Sequence, residues 1–251
     1  MPAVYANEAL IPSLRALWKK AFGDTDEFLD LFFSTAYAPE RCRCIAGGDA
    51  VQSVLYWFDC TLDGEKIAYI YAVATDPDCR GRGLCRDLMA DTMEILRSRG
   101  YAAAVLLPQE EWLIQMYAGM GFAPCTRVTE QWYPAGEPVA ARRIDETEYA
   151  ALRRALLPAG GVIQEGENLS FLAGMTQLWA GEGFLAAVMD NEGELWCPEF
   201  LGDPAAAPGV LAALRCSEGR FRTPGDTSPF AMFHPLTGEA QPPRHLALAF
   251  D

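Results

Sequence analysis

The chain has 251 residues and a mass of 27.5 kDa, a length that fits two domains better than one. Apolar residues make up 51% and charged residues 22%, the composition of a folded globular protein, which excludes a disordered chain. Acidic residues outnumber basic ones by 34 to 20, and the net charge of −14 argues against a nucleic-acid partner and favours cationic small molecules.

No segment reaches the ~18–20 consecutive apolar residues that a membrane helix needs, and the first 20 residues lack the basic and apolar order of an export signal. We therefore expect a cytoplasmic protein without a membrane partner. The sequence has eight cysteines, none of them in a CxxC pair, and only two histidines. No metal site is therefore expected. Cys42 and Cys44 are expected to share one face of a strand as small buried residues.

The first half of the chain shows helical apolar spacing in some segments and extended runs in others. Turn residues at 47–49 and 63–64 separate three of the extended runs and predict an antiparallel meander. The predicted elements are helices over 8–20 and 24–36, strands over 41–46, 50–62 and 66–75, a helix over 82–99, a strand over 102–107, a helix over 110–120 and an extended run over 122–133.

A stretch rich in Pro, Gly and Ala at residues 134–138 predicts a linker between domains spanning 1–135 and 138–251. The element order of the second half partly repeats that of the first, which suggests an internal duplication. The predicted elements are a strand over 142–145, helices over 147–157 and 168–180, a hairpin of 184–189 with 194–200 around residues 191–193, a helix over 205–215, and strands over 220–223 and 245–250.

Residues 69–86 read YIYAVATDPDCRGRGLCR, an apolar strand that leads into a loop of glycine and arginine and then into a helix. Glycines let the backbone approach a bound group closely. The first amides of a helix and the positive end of its dipole favour an anion. Three arginines add positive charge to an otherwise acidic chain, so this segment predicts a diphosphate site.

Two other phosphate-binding loops are excluded by their spacing. A P-loop requires a Gly-Lys-Ser/Thr sequence that this loop does not have. A dinucleotide-binding turn requires a third glycine where Arg86 stands, and a βαβ unit where this chain has a meander. A basic turn that only caps a helix remains as the alternative.

The segment Arg80-Gly81-Arg82-Gly83-Leu84-Cys85 resembles the Arg/Gln-x-x-Gly-x-Gly/Ala signature of the GNAT superfamily of acyl-CoA-dependent N-acyltransferases, with a cysteine at its last position. A second GNAT motif, Tyr-x-x-x-Gly-Phe, resembles residues 117–122, YAGMGF. The asparagine found before that tyrosine in many members is replaced by Glu110 or its neighbours. The resemblance covers residues 1–135 well and extends in outline to bacterial tandem-domain acetyltransferases of the enhanced-intracellular-survival type.

This resemblance implies an α/β fold with a mixed sheet, the GNAT acyl-CoA N-acyltransferase fold, followed by a second, degenerate GNAT-like domain. It implies acetyl-CoA as acyl donor, with pantetheine on the backbone of the fourth strand and pyrophosphate on the loop. The second half has Gly202-Asp203-Pro204 in place of a glycine- and arginine-rich loop, so it is expected to act as a scaffold or lid without CoA. The cofactor-binding residues implied are Val73, Ala74, Thr75, Arg80, Gly81, Arg82, Gly83, Leu84, Cys85 and Arg86.

Transfer of an acyl group from a thioester to an amine needs an acid near the departing sulfur, and Tyr117 is the candidate. The general base stays unassigned among Asp59, Glu111, a water molecule and the terminal Asp251. The remaining residues considered are Trp57, Trp112 and Trp132 as candidates for acceptor specificity, Cys79 and Cys85 as reactive or simply packed thiols, and His234 and His245 as structural residues.

The sequence thus predicts an N-acetyltransferase that transfers an acetyl group from acetyl-CoA to a primary amine, in a small cationic molecule or a peptide. The alternative is a non-catalytic acyl-CoA-binding regulatory module. A transferase for a longer acyl chain is a third possibility, and the oligomeric state is left open.

Overall fold

The structure is a computed structural model that describes residues 2–48, 50–191 and 194–246. The chain divides into two compact units. The first contains Met1–Ala123 and Met232–Pro242, and the second contains Pro124–Ala231 and Pro243–Asp251. Within the described ranges, no helix has the length and apolar character needed to cross a membrane.

The first half of the chain forms four helices and six strands among its described residues. In chain order they are β1 (Val4–Tyr5), α1 (Ile11–Phe22), α2 (Asp26–Thr35), β2 (Cys42–Gly47), β3 (Ala50–Leu62), β4 (Glu65–Thr75), α3 (Leu84–Ser98), β5 (Ala103–Leu106), α4 (Glu111–Ala118) and β6 (Ala123–Pro124).

The second half contributes three helices and nine strands in the part of the chain that the structure describes. They are β7 (Arg127–Pro134), β8 (Ala141–Arg143), α5 (Glu146–Leu156), β9 (Ile163–Gln164), α6 (Glu167–Met175), β10 (Gln177–Gly181), β11 (Phe184–Asn191), β12 (Glu194–Gly202), α7 (Ala207–Leu214), β13 (Glu218–Pro224), β14 (Ser228–Pro229) and β15 (Met232–Pro235).

Local signals in the sequence set the ends of several helices. The Thr25 hydroxyl accepts a hydrogen bond from the Phe28 amide at 3.3 Å and begins α2. The Asp145 carboxylate accepts one from the Glu148 amide at 2.9 Å and begins α5. Gly23 ends α1 with a φ of +79°, a backbone conformation that favours glycine.

The sheet of the first unit is mixed. Its strand order is β1-β2-β3-β4-β5-β15-β6, in which β4 and β5 are parallel and β2, β3 and β4 are antiparallel. Tyr56 of β3 contacts Trp18 of α1, with ring centroids 5.2 Å apart, whereas the next residue, Trp57, lies in a core cluster with Leu88 and Leu96 of α3. Because successive strand residues point to opposite faces, α1 and α3 cover opposite faces of this sheet.

The sheet of the second unit has the order β14-β7-β13-β12-β11-β10-β8, and its single parallel pair among the described residues is β12 with β13. One face packs against α7 in a core that includes Phe200, Val210 and Phe221. The mixed-sheet α/β architecture that the sequence predicts is confirmed.

The two units repeat one order of elements. In each, two helices precede an antiparallel meander, and the meander leads through a short 3₁₀ turn and a helix into a strand parallel to the last meander strand. Each 3₁₀ turn opens with Asp-Pro. Asp76 accepts a hydrogen bond from the Asp78 amide, and Asp203 accepts one from the Ala205 amide, both at 2.9 Å. This shared local structure supports the internal duplication that the sequence suggests.

The predicted helix over 168–180 is wrong in its last part. Helix α6 ends at Met175, and Gln177–Gly181 is strand β10, paired with β11. Thr176 has extended dihedral angles and its hydroxyl donates to the Leu172 carbonyl at 2.8 Å, so the helix stops there. Burial of Leu178 between half-exposed or exposed neighbours follows the strand period rather than the helix period.

Two other segments differ from their predictions. The extended run over 122–133 divides into two strands, and β7 lies in the second sheet beside β13. Strand β15, which the sequence analysis does not predict, pairs antiparallel with β5 in the first sheet. In the predicted strand over 245–250, His245 forms an isolated bridge with Gly161, and residues 247–250 lie outside the described ranges, as does part of the predicted turn at 191–193.

Candidate active site

A β-bulge interrupts β4 before its end. The pairs Val54 with Ala74 and Tyr56 with Tyr71 leave one residue of β3 opposite two residues of β4, so β4 carries an extra residue. Ala72 has a φ of +47°, in the left-handed region that residues other than glycine rarely adopt. A bulge of this kind bends the strand and turns the following residues in a new direction.

The parallel pairing of β4 with β5 ends next to this bulge. The paired residues run from Ile67 with Ala103 to Ile70 with Leu106, where β5 ends, whereas β4 continues to Thr75. The end of β4 therefore has no β5 residue beside it. This leaves an opening between the two strands, at the carboxyl end of a parallel pair, where α/β sheets commonly bind ligands.

Three hydrogen bonds fix the end of β4 at this opening. The Ser53 hydroxyl, which is fully buried, donates to the Ala74 carbonyl at 3.1 Å and lies 2.9 Å from the Thr75 hydroxyl oxygen. The Asp76 amide donates to the Gln52 carbonyl at 2.8 Å. The predicted pantetheine-binding backbone at residues 73–75 is thus held firmly against β3.

The loop that follows β4 presents its backbone to solvent. Gly81 and Gly83 have φ values of +75° and +81°, and a Cβ at either position would meet no atom within 4 Å. Helix α3 begins directly after Gly83, and the first amides of a helix have no acceptor within it. The glycines, the free helical amides and the positive end of the α3 dipole therefore face open space at one place, which suits an anion.

The charged side chains around this loop are exposed. Arg80, Arg82 and Arg86 all lie at the surface, and the Arg82 guanidinium donates to the Asp78 carbonyl at 3.0 Å, closing the loop on itself. The residues of the predicted diphosphate site thus cluster at the start of α3.

Tyr117 of α4 lies close to the first turn of α3. It is 6% exposed and belongs to the core cluster of the first unit, against which Val73, Leu84 and Cys85 also pack. Its ring meets that of Phe122 edge-on, with centroids 6.0 Å apart. Burial, followed by the nearby Cys85, raises the pKa of the Tyr117 phenol well above its ordinary value, so the hydroxyl is protonated at neutral pH and can donate a hydrogen bond.

Cys85 is a packed thiol. Burial raises its pKa to about 11, so the thiol stays protonated at neutral pH, contrary to what a reactive cysteine requires. Cys42 and Cys44 are fully buried, as the sequence predicts, and burial raises the pKa of both.

Asp59, one of the carboxylates considered as a base, lies away from the opening. It pairs in register with Ala68, about 16 Å along β4 from Val73 at ~3.3 Å per residue. Its carboxylate accepts a hydrogen bond from the Tyr101 hydroxyl and lies 3.1 Å from the Lys66 ammonium group. Asp59 therefore belongs to a structural network at the opposite end of the strand.

The other candidates divide by exposure. Glu111 is exposed at the first position of α4. Trp57 is 1% exposed and donates its indole N–H to the Tyr101 hydroxyl at 3.1 Å, so it is a core residue. Trp112 and Trp132 are 63% and 52% exposed and are available for contacts. Asp251 lies outside the described residues.

Sequence reasoning missed two residues beside the site. Ala72 forms the bulge, but alanine gives no sequence signal for a positive φ. Lys20, in the last turn of α1, lies 2.8 Å from a carboxylate oxygen of both Asp76 and Asp78. The lysine is separated from these acids by 56 and 58 positions in the sequence, so no local pattern could indicate the contact.

The second unit repeats the bulge and the opening without the loop. The pairs Ala187 with Glu199 and Met189 with Trp196 place an extra residue on β12, and the parallel pairing with β13 ends at Cys197. Beyond that point β12, β13 and neighbouring residues enclose a hollow that leaves no space for a water molecule. It is lined by Val128, Pro198, Glu199, Phe200, Leu201, Arg222, Thr223, Pro224 and His245.

The charged Glu199 in the wall of this hollow is paired with other buried side chains of the same unit. Glu199 and Arg153 are 1% and 2% exposed, and the Arg153 Nε lies 3.0 Å from a Glu199 carboxylate oxygen. The Tyr149 hydroxyl donates to the other oxygen of Glu199 at 2.6 Å. Burial, with a smaller effect of Arg153, lowers the pKa of His245 to about 4, so this imidazole is neutral at pH 7. The equivalent opening is thus filled by the protein itself.

Comparison with known families identifies the first unit. The family described as "Acetyltransferase (GNAT) domain" matches residues 4–125. The first unit is a GNAT acetyltransferase domain. Membership of this family supports acyl transfer as the chemistry of the GNAT domain, and the family typically uses acyl-CoA. Comparison of the sequence with curated proteins gives no match.

Solved structures share the fold over nearly the whole chain. A GCN5-related N-acetyltransferase from Anabaena variabilis is 12% identical, with a TM-score of 0.72 over 94% of this chain and 73% of that one. Eis1 from Mycobacterium abscessus is 10% identical, with a TM-score of 0.68 over 94% and 73%. A tandem GNAT protein from the clavulanic acid biosynthesis pathway is 13% identical, with a TM-score of 0.53 over 92% and 94%. The GNAT domain is thus followed by a second GNAT-like unit, as predicted.

Proposed function

We propose that this protein is an N-acetyltransferase that transfers an acetyl group from acetyl-CoA to a primary amine of a small cationic molecule or a peptide. The observation that carries the proposal is the juxtaposition, within the GNAT domain, of the opening beyond the β4 bulge with the glycine loop at the start of α3. The first suits an extended polar chain such as pantetheine, and the second suits the diphosphate attached to it.

The diphosphate would be held mainly by backbone amides of residues 81–86, because the glycines expose them and the α3 dipole favours negative charge. Arg80, Arg82 and Arg86 add positive charge at the surface of the same loop. The pantetheine arm would lie along the backbone of residues 73–75, whose position is fixed by Ser53.

In the proposed reaction the neutral amine attacks the thioester carbonyl carbon, a C–N bond forms, the C–S bond breaks and CoA leaves as a thiolate. Tyr117 donates a hydrogen bond or its proton to the departing sulfur. The proton lost from the amine passes to solvent or to a base that we leave unassigned. Because burial raises its pKa, the Tyr117 hydroxyl stays protonated at neutral pH and is better suited to donate a hydrogen bond to the thiolate than to transfer its proton.

The choice of a cationic acceptor is supported by the net charge of −14, because a negative field raises the local concentration of cations. Trp112, exposed at the start of α4, is a candidate for contact with the acceptor. We place the protein in the cytoplasm, where its eight free cysteines would stay reduced.

We assign the catalytic role to the first unit, which contains most of the domain predicted over residues 1–135, and a degenerate, non-catalytic role to the second unit, which contains most of residues 138–251. Support for the second assignment comes from the filled hollow at Glu199 and His245, which leaves no space even for water. The segment at Gly202 and Asp203 also lacks the glycine and arginine pattern of the first loop.

Calorimetric titration of acetyl-CoA followed by a thiol-release assay over a panel of amines tests the proposal. We expect binding at micromolar concentration and CoA release that depends on a cationic primary amine. Hexanoyl-CoA serves as the comparison for acyl length. Binding without release on any amine would favour a regulatory acyl-CoA-binding module, and no binding would overturn the proposal.

A further inference from the structure

Lys20 ties the glycine loop to helix α1 through two acids. Its ammonium group lies 2.8 Å from Oδ1 of Asp76 and 2.8 Å from Oδ2 of Asp78. The same Asp76 oxygen accepts the Asp78 amide at 2.9 Å, and the Asp78 carbonyl accepts the Arg82 guanidinium. One lysine thus contacts both the residue that caps the 3₁₀ turn over Pro77–Cys79 and the residue in the middle of that turn.

The charges of the loop itself cancel. Residues 76–87 contain three aspartates and three arginines, so this segment has no net charge on a protein of net charge −14. Lys20 comes from another element and adds one positive charge at the two acids that precede the glycines. The hydrogen bonds to these acids raise the pKa of Lys20, and the bond to Lys20 lowers the pKa of Asp76, so Lys20 and Asp76 both stay charged at neutral pH.

We propose that Lys20 is a positioning residue for the acyl-CoA diphosphate, which acts by neutralising Asp76 and Asp78 beside the glycine loop. The inference rests on the proposed function, since it assigns a residue to the same site. Without Lys20, two uncompensated carboxylates would stand next to a dianionic group and repel it.

A purely mechanical role is the competing explanation. Lys20 could hold the loop in shape as a brace, but ion pairs at exposed positions contribute little to stability, typically below about 1 kcal/mol. The Lys20 and Asp78 side chains are 42% and 85% exposed, respectively, so their pairing adds little to folding. A charge effect on an anionic ligand depends on charge alone, and the two explanations therefore predict different results for double variants.

The first experiment separates diphosphate binding from the rest of the reaction. Lys20→Met is compared with wild type on acetyl-CoA and on S-acetylpantetheine, which lacks the diphosphate. We expect KM for acetyl-CoA to rise about five- to tenfold with kcat unchanged, and kcat/KM for S-acetylpantetheine to stay within about twofold. Lys19→Met is the matched control, because the neighbouring Lys19 pairs with Asp26 away from the loop.

The second experiment restores charge balance without the lysine. Lys20→Arg should keep near-wild-type KM. In Lys20→Met combined with Asp78→Asn, one of the two repelling carboxylates is removed, and we expect KM to return most of the way to the wild-type value. A brace would not be rescued in this way, because the double variant has even fewer contacts between α1 and the loop.

The outcomes distinguish the two levels of the proposal. If wild type binds acetyl-CoA but Lys20→Met behaves like Lys19→Met, the role of Lys20 is wrong and the proposed function stands. Equal losses on acetyl-CoA and S-acetylpantetheine, or no rescue by Asp78→Asn, would also overturn it. If wild type itself fails to bind acetyl-CoA, the proposed function is overturned, and the role of Lys20 is overturned with it.

Discussion

Gly83 and Gly100 lie beyond opposite ends of helix α3 and share one backbone conformation. Their φ values are +81° and +79°, and at both positions a Cβ would find no atom within 4 Å. A substitution at either glycine therefore costs backbone strain and nothing else in the free protein. The difference is that Gly83 faces the proposed diphosphate site, whereas Gly100 follows the other end of the helix.

This relationship provides a matched pair of variants. Gly83→Ala and Gly100→Ala should each lower the unfolding free energy by about 1–2 kcal/mol, since an L-residue is strained at positive φ. Only Gly83→Ala should weaken acetyl-CoA binding, by at least about fivefold, because its backbone amides are those proposed to approach the ligand. Urea unfolding and calorimetric titration of both variants test this. Equal acetyl-CoA affinities of the two variants would show that the loop is not part of the binding site.

Tyr117→Phe should lower kcat by about 10- to 100-fold without changing acetyl-CoA affinity. The ring packs against Phe122 and phenylalanine keeps that contact, so the unfolding free energy should move by less than about 1 kcal/mol. Tyr101→Phe is the control. Tyr101 is buried in the same core but its hydroxyl contacts Trp57 and Asp59, so its loss should cost stability and leave kcat unchanged. If Tyr101→Phe lowered kcat and Tyr117→Phe did not, Tyr117 would be excluded as the acid.

Neighbouring arginines in α5 allow a test of the second unit. Glu199→Gln leaves the buried Arg153 without its counter-charge and should cost about 3–5 kcal/mol of stability. Glu165→Gln removes the partner of the exposed Arg154 and should cost less than about 1 kcal/mol. Chemical denaturation of both variants measures the difference. Similar costs would mean that the Glu199 network does not stabilise the unit.

His245 should make stability depend on pH. Its pKa is about 4 in the folded protein against an ordinary value of 6.5, so the unfolded chain takes up a proton first as the pH falls. Stability should therefore fall between pH about 7 and 4, by up to about 3 kcal/mol from this group. Urea titrations at pH 7 and 4.5 should give a smaller loss for His245→Gln than for wild type. Equal losses of stability in wild type and His245→Gln would contradict the assignment of this pH dependence to His245.

Much of the first unit could be predicted because the residues that specify its elements lie close together in the sequence. The glycines at 81 and 83 and the periodicity of α3 mark the loop and the helix, and the Asp63-Gly64 turn separates β3 from β4. The sequence pattern places residues 176–180 in a helix because a short apolar run fits the helix and strand periods equally well, and only the pairing of β10 with β11 decides between them.

The rest of the site depends on contacts between distant parts of the sequence. The bulge at Ala72 arises from the pairing of β4 with β3 and not from the residue itself. The contact of Lys20 with Asp78 joins segments 58 positions apart. Trp57 and Trp112 look alike in sequence, yet the first is core and the second is exposed, because only the fold determines which strand faces are covered.

The bulge and the parted strands occur in both units, although only the first unit has the glycine loop. The opening is therefore a product of topology and does not depend on a bound ligand. It forms where the last strand of an antiparallel meander is followed in the sheet by a parallel strand. Whether such an opening holds a ligand then depends on the loop between strand and helix and on the side chains that line the opening. In this chain the strands part in the same way after Cys197, but Glu199 and its neighbours fill the space, so a transplanted loop would bind a ligand only if smaller side chains replaced them.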